Sequence, residues 1–482
     1  MFTALVGCRK TGAESNILGN EPRSKKIDFN LNKILDRGKI IGIVENNSTG
    51  YFIYKGQTLG YEYELLSRFA TYLNVDLELR VTSNLQEAMD MLNRGDGDII
   101  AFPLTVTKER KKNVLFTNYQ YTVRMVLVQG YPDGWNQMKA HEIEESLIRN
   151  QVELIGKEIN VRYKSSYLSR LSNLSEEIGG DIVVVEMDQT IETEDLIRMV
   201  SEGEIKYTIA DEDIAMVNAT YYRNIDVNTP ISFPTQIAWA VRSNAPELRD
   251  TINIWLNKIK REPTFNVIYA KYFENTRASL SRRKSEYFSM GGGKISEFDD
   301  LIKKGARELN WDWSLLASQI YQESKFDPKA RSWAGAVGLM QLVPSTAREY
   351  GARNSLDPVQ NIKAGVKYLK WLQSYWNPRL ESSDDRTRFI LASYNVGLGH
   401  VLDARQLIIK YNGDPDNWAD LEKYLLLKSK PKYYNDPVVK YGYCRGEEPV
   451  KYVKEILARY HRYVDNFPPD IENQSPSLAT SP

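Results

Sequence analysis

A glutamate inside an apolar helical stripe is the residue whose placement in this sequence most directly suggests chemistry. Leu316, Ile320 and Glu323 are spaced i, i+4 and i+7 in the run WDWSLLASQIYQES, so they lie on one face of a predicted helix. Asp312 is the expected N-cap of this helix, and Asp327-Pro328 ends it. Burial and the negative end of the helix dipole both disfavour an ionised carboxylate there. Glu323 is therefore a candidate general acid that stays protonated near neutral pH.

The stripe alone leaves two other interpretations of Glu323 open, namely a salt bridge that satisfies the carboxylate and a helix face turned toward solvent. Three stretches downstream favour the chemical interpretation. The first, GAVGLMQLVP at 335–344, carries glycines that let the backbone approach a ligand closely. The second begins at Asp357-Pro358 and predicts a scaffold helix with an N-cap and a proline at N1. The third, LASYNVG at 391–397, places an aromatic side chain beside an amide at a helix end.

The combination of ES at 323–324, GLMQ at 338–341 and ASYNVG at 392–397 resembles the soluble-lytic-transglycosylase domain. The resemblance extends over roughly residues 295–467. It implies a mainly α-helical, lysozyme-like fold and cleavage of peptidoglycan glycan strands. Each motif alone is weak, whereas the three motifs together are specific.

The resemblance also implies roles for individual residues. Glu323 would be the only catalytic acid and base. The glycan groove would be lined by Ser324, Gln341, Tyr394 and Asn395. Tyr452 would close the groove, although the preceding Glu448-Pro449-Val450 departs from the threonine–arginine pair that is usual in the family.

A single carboxylate implies a particular kind of glycan cleavage. A glycoside hydrolase of the usual type needs a second Asp or Glu as nucleophile or base. Asp327 stands at the turn that ends the helix, and Glu447 and Glu448 fall outside any element evident in the sequence. The resemblance implies instead that the sugar's own C6 hydroxyl attacks C1 and leaves a 1,6-anhydromuramoyl end, because an attached hydroxyl has a large effective concentration.

The first half of the chain has a different pattern, in which strands and helices alternate. Strands are predicted over 40–44, 76–81 and 98–102, with helices over 61–73 and 85–92 between them. A second α/β unit is predicted over 156–241. This order predicts parallel sheets with a ligand site at the carboxyl ends of the strands.

Three stretches of this half, TLGYEYELLSRFATYLNVDLEL, MLNRGDGDIIAFPLTVTKERKKNVLFTNYQYT and YTIADEDIAM, resemble periplasmic solute-binding proteins of the polar amino-acid class over roughly residues 27–273. The resemblance implies a two-lobed domain in which Arg110 clamps a carboxylate, Asp211 takes an ammonium group and Thr105 offers a further donor. A guanidinium suits this role because it grips a carboxylate with two parallel hydrogen bonds. Without the resemblance, Arg110 is read as a solvated charge. Pro103 departs from the family pattern, which casts doubt on a free amino acid as the ligand.

These observations divide the chain into five segments. Residues 1–26 form a tether, 27–273 the solute-binding-like domain, 274–294 a polar linker with three consecutive glycines, 295–469 the transglycosylase-like domain and 470–482 a disordered Ser/Pro-rich tail. The fusion suggests that an amino acid or a stem peptide bound by the first domain regulates the second.

The N-terminal tether suggests a lipid anchor. Leu5-Val6-Gly7-Cys8 resembles a bacterial lipobox, in which Cys8 is lipidated, and the alternative is an incidental cysteine. The apolar run before it is shorter than a full signal sequence, so we expect further residues upstream. The resemblance implies a peripheral lipoprotein of the outer membrane that faces the periplasm.

Bulk composition excludes several classes of function. The 482 residues carry 63 basic and 63 acidic side chains, which does not favour a nucleic-acid partner. Two cysteines and three histidines have no metal-ligand spacing, so neither a metal nor another cofactor is expected. Two rivals to a lytic transglycosylase remain: an amino-acid receptor whose second domain only docks on the cell wall, and a lysozyme-type hydrolase.

Overall fold

A computed structural model describes residue 27 and residues 29–467 of the chain. An α/β half comes first and a helical half follows, as the sequence predicts. The lipobox cysteine, Cys8, and the predicted disordered tail lie outside the described residues. Among the helices of the described part, none is long and apolar enough to cross a membrane.

All strands belong to the first half. They are β1 (Lys39–Val44), β2 (Phe52–Tyr54), β3 (Gln57–Leu59), β4 (Asp76–Val81), β5 (Ile99–Ala101), β6 (Val114–Phe116), β7 (Tyr121–Val123), β8 (Met125–Gly130), β9 (Glu158–Val161), β10 (Val183–Glu186), β11 (Tyr207–Asp211), β12 (Ile225–Pro230), β13 (Thr235–Ile237) and β14 (Ala240–Arg242). The predicted strands at 40–44, 76–81 and 98–102 correspond to β1, β4 and β5.

The helices of the first half and of the segment after it are α1 (Leu31–Arg37), α2 (Tyr61–Leu73), α3 (Leu85–Arg94), α4 (Ala140–Ser146), α5 (Ser166–Ile178), α6 (Thr193–Glu202), α7 (Glu212–Ala219), α8 (Pro246–Ile259), α9 (Pro263–Tyr269) and α10 (Thr276–Arg283). Those of the second half are α11 (Asp299–Leu309), α12 (Trp313–Ser324), α13 (Pro344–Glu349), α14 (Pro358–Trp376), α15 (Ser383–Val396), α16 (Leu398–Lys410), α17 (Trp418–Leu427), α18 (Pro431–Tyr434) and α19 (Glu447–Asn466).

The α/β half has two lobes, each built on a five-stranded sheet. The first sheet has the order β4-β1-β5-β14-β6 and the second the order β10-β9-β11-β8-β12. Strands β4, β1 and β5 are parallel, as are β10, β9 and β11, whereas β14 and β8 run antiparallel to their neighbours. The sequence predicted the parallel strands β1, β4 and β5 of the first sheet but not the antiparallel β14 and β8.

The antiparallel strands arise because the chain crosses between the lobes more than once. Strands β7 and β13 pair with each other and form the two-stranded connection between the lobes. After β13 the chain re-enters the first sheet as β14, beside β5 but in the opposite direction. The first lobe is therefore completed by residues far along the chain, and its core joins Leu66 of α2 to Trp239 and Leu256.

The helical half has one continuous core with α12 near its centre. The core unites Leu316 and Ile320 of α12 with Trp376 of α14 and Ile456 of α19. As predicted, Asp312 caps α12 by accepting a hydrogen bond from the backbone N–H of Ser314 at 2.8 Å. This packing fixes the end of α12 that carries the candidate acid.

The segment between the halves is ordered. It contains α10 and then a loop in which Phe288 is buried in the core of the first lobe. The backbone N–H of Ser289 donates to Ile53 O at 2.9 Å, and the N–H of Lys55 donates to Tyr287 O at 3.1 Å. A side chain at Gly292 would lie 2.1 Å from Glu286 O, which explains one of the three glycines. The segment is thus packed along the β2–β3 hairpin.

Candidate functional site

Glu323 lies in the last turn of α12, and the residue is partly exposed. The chain turns sharply after it, because Lys325 and Phe326 both adopt the left-handed conformation, with φ of 53° and 62°. Phe326 is buried in the core of the helical half. The helix end, and with it the carboxyl group, is therefore held in one position relative to the neighbouring helices.

The surroundings of Glu323 favour its neutral form. Burial raises the pKa of Glu323 to about 8, and a hydrogen bond donated by the Tyr452 hydroxyl offsets part of that rise. Within the described part of the chain, no basic side chain pairs with this carboxyl and no second carboxyl contributes to the shift of its pKa. The salt-bridge interpretation of Glu323 is therefore not supported, and the group has the character of a general acid at neutral pH.

Asp327, Glu447 and Glu448, the other carboxylates considered from the sequence, do not act on Glu323. Asp327 is exposed and accepts a hydrogen bond from the backbone N–H of Lys329 at 2.8 Å. Glu447 and Glu448 are also exposed, and they form the first turn of α19 rather than an irregular segment. None of the three affects the pKa of Glu323.

Residues 338–342, here called the strap, run beside the end of α12. The Ser324 hydroxyl donates to Leu339 O at 2.8 Å, so the residue after the candidate acid ties the helix to the strap. The Gln341 side chain donates to Ala330 O at 3.1 Å and to Gly338 O at 2.8 Å. The motif GLMQ therefore has a visible structural role, in which Ser324 and Gln341 hold the backbone beside Glu323.

Gly338 is required where the strap begins. Its φ is +85°, and a Cβ there would lie 2.2 Å from Ser355 O. The side chain of Asn361 on α14 also holds the strap in place. Its Oδ1 accepts a hydrogen bond from the N–H of Met340 at 2.8 Å, and its Nδ2 donates one to Val337 O at 3.0 Å. The helix that the sequence assigned to scaffold thus supports the wall of the groove.

The two tyrosines of the predicted site approach Glu323 from different helices. Tyr394 lies on α15, and its hydroxyl donates to Met340 O in the strap at 2.8 Å. Burial raises the pKa of Tyr394 and the charge of Glu323 adds to this. Tyr452 lies on α19 and touches Glu323 directly. Asn395, the neighbour of Tyr394, is partly exposed on the same helix. The structure therefore places Ser324, Gln341, Tyr394 and Tyr452 around the end of α12 and the strap, from regions far apart in the sequence.

The α/β half has its own cleft between the two lobes, with a cavity of ≈ 270 Å³. Residues after β1, β5 and β9 line it, so it lies at the carboxyl ends of parallel strands as the fold predicts. Arg110, Asp211 and Thr105, the three residues predicted from the sequence, are all part of its lining.

Two groups of opposite charge, Arg110 and Asp211, lie in the lining of the cleft. Arg110 donates to Thr105 O at 2.9 Å, and burial lowers the pKa of Arg110 to about 10. Asp211 is 5% exposed, and its Oδ1 atom has no hydrogen-bond partner among the described residues. Burial and the charge of Asp213 raise the pKa of Asp211, whereas Arg110 opposes the rise. A buried carboxylate oxygen without a donor is costly unless a ligand supplies one.

Sequence reasoning missed the residues that join the lobes across the cleft. Arg162 Nη2 lies 2.6 Å from Glu45 Oε1 and 2.9 Å from Glu192 Oε2. Ser48 donates from its hydroxyl and its backbone N–H to Glu194 Oε1, at 2.5 and 3.2 Å. These contacts describe a closed arrangement of the lobes. Their positions directly after β1 and β9 were the available signal, because loops at those strand ends line the cleft.

The β2–β3 hairpin, residues 52–59, joins the two halves. Ile53 belongs to the core of the helical half, although it lies in the first lobe by sequence. Tyr463 of α19 donates from its hydroxyl to Gly56 O at 2.7 Å. A Cβ at Gly56 would lie 2.5 Å from Phe326 and 2.9 Å from Tyr321, two residues that flank Glu323 in the sequence. The hairpin therefore packs directly against the end of α12.

The fold and the site define a class of protein in which a two-lobed solute-binding-like domain precedes a helical, transglycosylase-like domain. A family model described as bacterial extracellular solute-binding proteins, family 3, matches residues 40–275. A second model, described as Transglycosylase SLT domain, matches residues 300–417. The described residues contain no group of His, Cys, Asp and Glu suited to a metal ion.

Curated relatives match both halves at once. Three of them, all named membrane-bound lytic murein transglycosylase F, come from Desulfosudis oleivorans, Pseudomonas fluorescens and Saccharophagus degradans. They are 37%, 31% and 33% identical, cover 89%, 89% and 90% of this chain, and are themselves covered over 90%, 85% and 83%. The chain belongs to the membrane-bound lytic murein transglycosylase F family.

A solved structure of an ancestral arginine-binding protein bound to arginine is also similar to this chain. It is 20% identical and covers 49% of this chain and 99% of its own, with a TM-score of 0.41.

Proposed function

We propose that Glu323 of this peptidoglycan lytic transglycosylase cleaves the β-1,4 bond between N-acetylmuramic acid and N-acetylglucosamine and leaves a 1,6-anhydromuramoyl end. The observation that carries the proposal is a neutral carboxyl group that contacts Tyr452 and has no second carboxyl acting on it within the described residues. The family supports the activity, and the product follows from the chemistry of a single carboxyl.

The reaction needs one group that first gives and then takes a proton. Glu323 gives its proton to the bridging oxygen, the bond from that oxygen to C1 breaks, and C1 becomes oxocarbenium-like. The Glu323 carboxylate then takes the proton of the C6 hydroxyl, whose oxygen forms the new bond to C1. The enzyme returns to its neutral state without consuming water. Tyr452 stabilises the carboxylate between the two steps, because a donated hydrogen bond favours the charged form.

A lysozyme-type hydrolase is the nearest rival. That mechanism needs a second carboxylate, either close enough to act as nucleophile or separated from the first by the width of a water. Asp327, Glu447 and Glu448 are exposed and do not affect Glu323. The second rival, a receptor without catalysis, gives no reason for a glutamate whose pKa is raised by burial and whose hydrogen-bond donor is Tyr452.

Digestion of purified cell-wall sacculi tests the proposal. Mass spectrometry of the released muropeptides is expected to show products one water lighter than those of a hydrolase, with Glu323→Gln as the inactive control. Products of hydrolytic mass would establish the hydrolase instead. Absence of release by the unmodified chain would favour the receptor.

We propose further that the cleft of the α/β half binds an amino acid or a peptidoglycan stem peptide. Arg110 would hold a carboxylate, and the unpartnered Oδ1 of Asp211 would accept a hydrogen bond from an ammonium group, with Thr105 beside them. Such a ligand would neutralise both buried charges. Calorimetric titration with free amino acids and with stem peptides distinguishes the two ligand types.

The bound ligand would regulate cleavage through the β2–β3 hairpin. The loop before this hairpin contains Ser48, which holds Glu194 of the opposite lobe, and the hairpin itself packs on Tyr321 and Phe326 beside Glu323. Lobe opening would therefore move a segment that touches the end of α12. The test is the glycan-cleavage rate with and without stem peptide. A rate that does not respond despite measured binding would contradict regulation.

We also propose that Cys8 carries a lipid anchor and that the enzyme is a peripheral lipoprotein of the outer membrane, facing the periplasm. The lipobox-like sequence and the membrane-bound relatives support this. Labelling of the full-length protein with a radioactive fatty acid tests it, and the label is expected to disappear in Cys8→Ala. An equally labelled variant would contradict the assignment.

A further inference from the structure

A row of aromatic rings leads away from the candidate catalytic group along the helical half. The ring of Tyr394 lies 5.1 Å from that of Tyr368, centroid to centroid, at an interplanar angle of 40°. Tyr368 stacks on Trp371 at 5.9 Å and 17°. Tyr350 lies 5.3 Å from Tyr368 on the other side. The row thus joins residues of α14 and α15 and the end of α13.

The row begins at the groove. Tyr394 donates to Met340 O in the strap, and the charge of Glu323 contributes to the raised pKa of this tyrosine. The rings of Tyr350, Tyr368 and Tyr394 are all partly exposed. A continuous strip of accessible aromatic surface therefore connects the place of bond cleavage to the outer face of α14.

The core does not require the outer end of this strip. Helix α14 buries Ile362, Val366 and Leu369 against the rest of the domain. Trp371 is 44% exposed and is held by its i, i+3 stack on Tyr368. A large aromatic ring, stacked on Tyr368, is thus exposed on a helix that was predicted to be scaffold.

We propose that Tyr368 and Trp371 form a distal sugar-binding subsite, on which a pyranose ring of the glycan strand stacks away from the bond that is cleaved. The electron-rich face of an aromatic ring attracts the weakly positive C–H face of a sugar. The strand is the expected occupant because the strip begins at Tyr394, beside the group that would cleave the strand under the proposed function. This inference rests on the proposed function. It means that Tyr368 and Trp371 make the enzyme bind longer glycan strands more tightly than shorter ones.

The variant Trp371→Leu tests the subsite, because leucine keeps an apolar side chain but removes the flat ring. Peptide-free glycan strands of four and of eight sugars are titrated in a Glu323→Gln background, so that binding is measured without cleavage. We expect the variant to bind the eight-sugar strand about 10-fold more weakly. Binding of the four-sugar strand is expected to change less than about 2-fold, and Trp371→Tyr is expected to restore most of the loss.

Tyr72 provides a matched control. It is 46% exposed on α2 of the other half and stacks on Phe69, three residues earlier, at 6.3 Å and 21°. Tyr72→Leu is expected to leave the binding of both strands unchanged.

Two outcomes would overturn the subsite: equal binding of the eight-sugar strand by Trp371→Leu and the unmodified protein, or equal losses for both strand lengths. Both are distinct from failure of the proposed function, in which the active chain with Glu323 intact cleaves neither strand. Thermal unfolding of each variant, followed by circular dichroism, separates a loss of binding from a loss of fold.

Discussion

The cleft of the α/β half and the groove of the helical half each contain a carboxyl group whose pKa is raised by burial, but the two sites satisfy that group differently. Asp211 lies among charges, with Arg110 opposing the rise of its pKa and one of its oxygens unpartnered in the described structure. Among the described residues, Glu323 has only the Tyr452 hydroxyl as a partner, and no charged side chain there contributes to its pKa.

We propose that this difference separates a binding site from a catalytic one. A buried carboxylate beside a guanidinium and short of a donor is completed by a ligand that brings opposite charges. A neutral carboxyl in an uncharged setting has a proton to give and needs no counter-ion. We infer that the same side-chain chemistry binds in one half and catalyses in the other because of the groups that surround it.

The largest expected effect is on cleavage. Replacing Glu323 by Gln removes the proton donor while keeping the shape of the side chain, so release of muropeptides from sacculi should fall at least ~10³-fold. Ligand binding to the α/β half should remain within about 2-fold. Substantial cleavage by this variant would remove the distinction between the two carboxyl groups.

The next largest effect is expected on ligand binding in the cleft of the α/β half. Arg110→Ala leaves Asp211 without its opposing charge and removes the expected carboxylate clamp, so ligand affinity should fall about 100-fold, as measured by calorimetry. Cleavage without ligand should not change. Lys111→Ala, an exposed neighbour on the same turn, is the control and should bind normally. Equal losses for the two variants would indicate a general charge effect.

Tyr452→Phe tests the effect of the Tyr452 hydrogen bond on the pKa of Glu323. The lost hydrogen bond had lowered the pKa of Glu323, so that pKa should rise and the basic limb of the pH–rate profile should move to higher pH. The carboxylate formed between the two steps loses its donor, and kcat should fall about 10-fold. Tyr460→Phe on the same helix should leave the profile in place. A shift toward lower pH in Tyr452→Phe would contradict the assigned contact.

The Gly56→Ala substitution is expected to disturb the contact of the β2–β3 hairpin with the helical half. At Gly56, with φ of +75°, a Cβ would meet Phe326 and Tyr321, whereas Gly134, with φ of +73°, has open space around it. Both alanine variants carry a similar backbone strain of about 1 kcal/mol. Only Gly56→Ala should abolish the response of the cleavage rate to ligand. The same response in both variants would exclude the hairpin as the link.

The smallest effect concerns stability and pH. Because the pKa of Glu323 is raised from 4.5 to about 8, the folded state binds more protons than the unfolded state between these values. Stability conferred by this site is therefore greatest at low pH and decreases as pH rises toward 8. Glu323→Gln lacks this dependence, so its Tm relative to the unmodified chain should increase by about 3 °C from pH 5 to pH 9. An unchanged difference would contradict the raised pKa.

Local patterns in the sequence sufficed for much of the fold. The helix at 313–324 follows from its Asp312 cap and apolar spacing, and α2 was predicted at its observed bounds. Strand β14 was not predicted, because its pairing with β5 depends on a chain crossing that no local pattern records. For the same reason Glu447 and Glu448 were not assigned to α19, whose start is set by packing on α12.

Some residues of the two candidate sites could be predicted from the sequence, and others could not. The position of Glu323 on a buried stripe was visible in the spacing, and family resemblance supplied Tyr394, Tyr452 and Arg110. The contact of Arg162 with Glu45 was not visible, since it joins loops from opposite lobes. The Tyr368–Trp371 stack looked like helix scaffold because an i, i+3 pair does not reveal which face of the helix meets solvent.

The central claim is that Glu323 activates the sugar's own hydroxyl rather than water, and cleavage of sacculi in water enriched in heavy oxygen tests this directly. We predict that mass spectrometry will find the newly formed muramoyl ends free of heavy oxygen and in the anhydro form. Incorporation of one heavy oxygen atom per cleaved bond would show that water attacks C1, and would contradict the account.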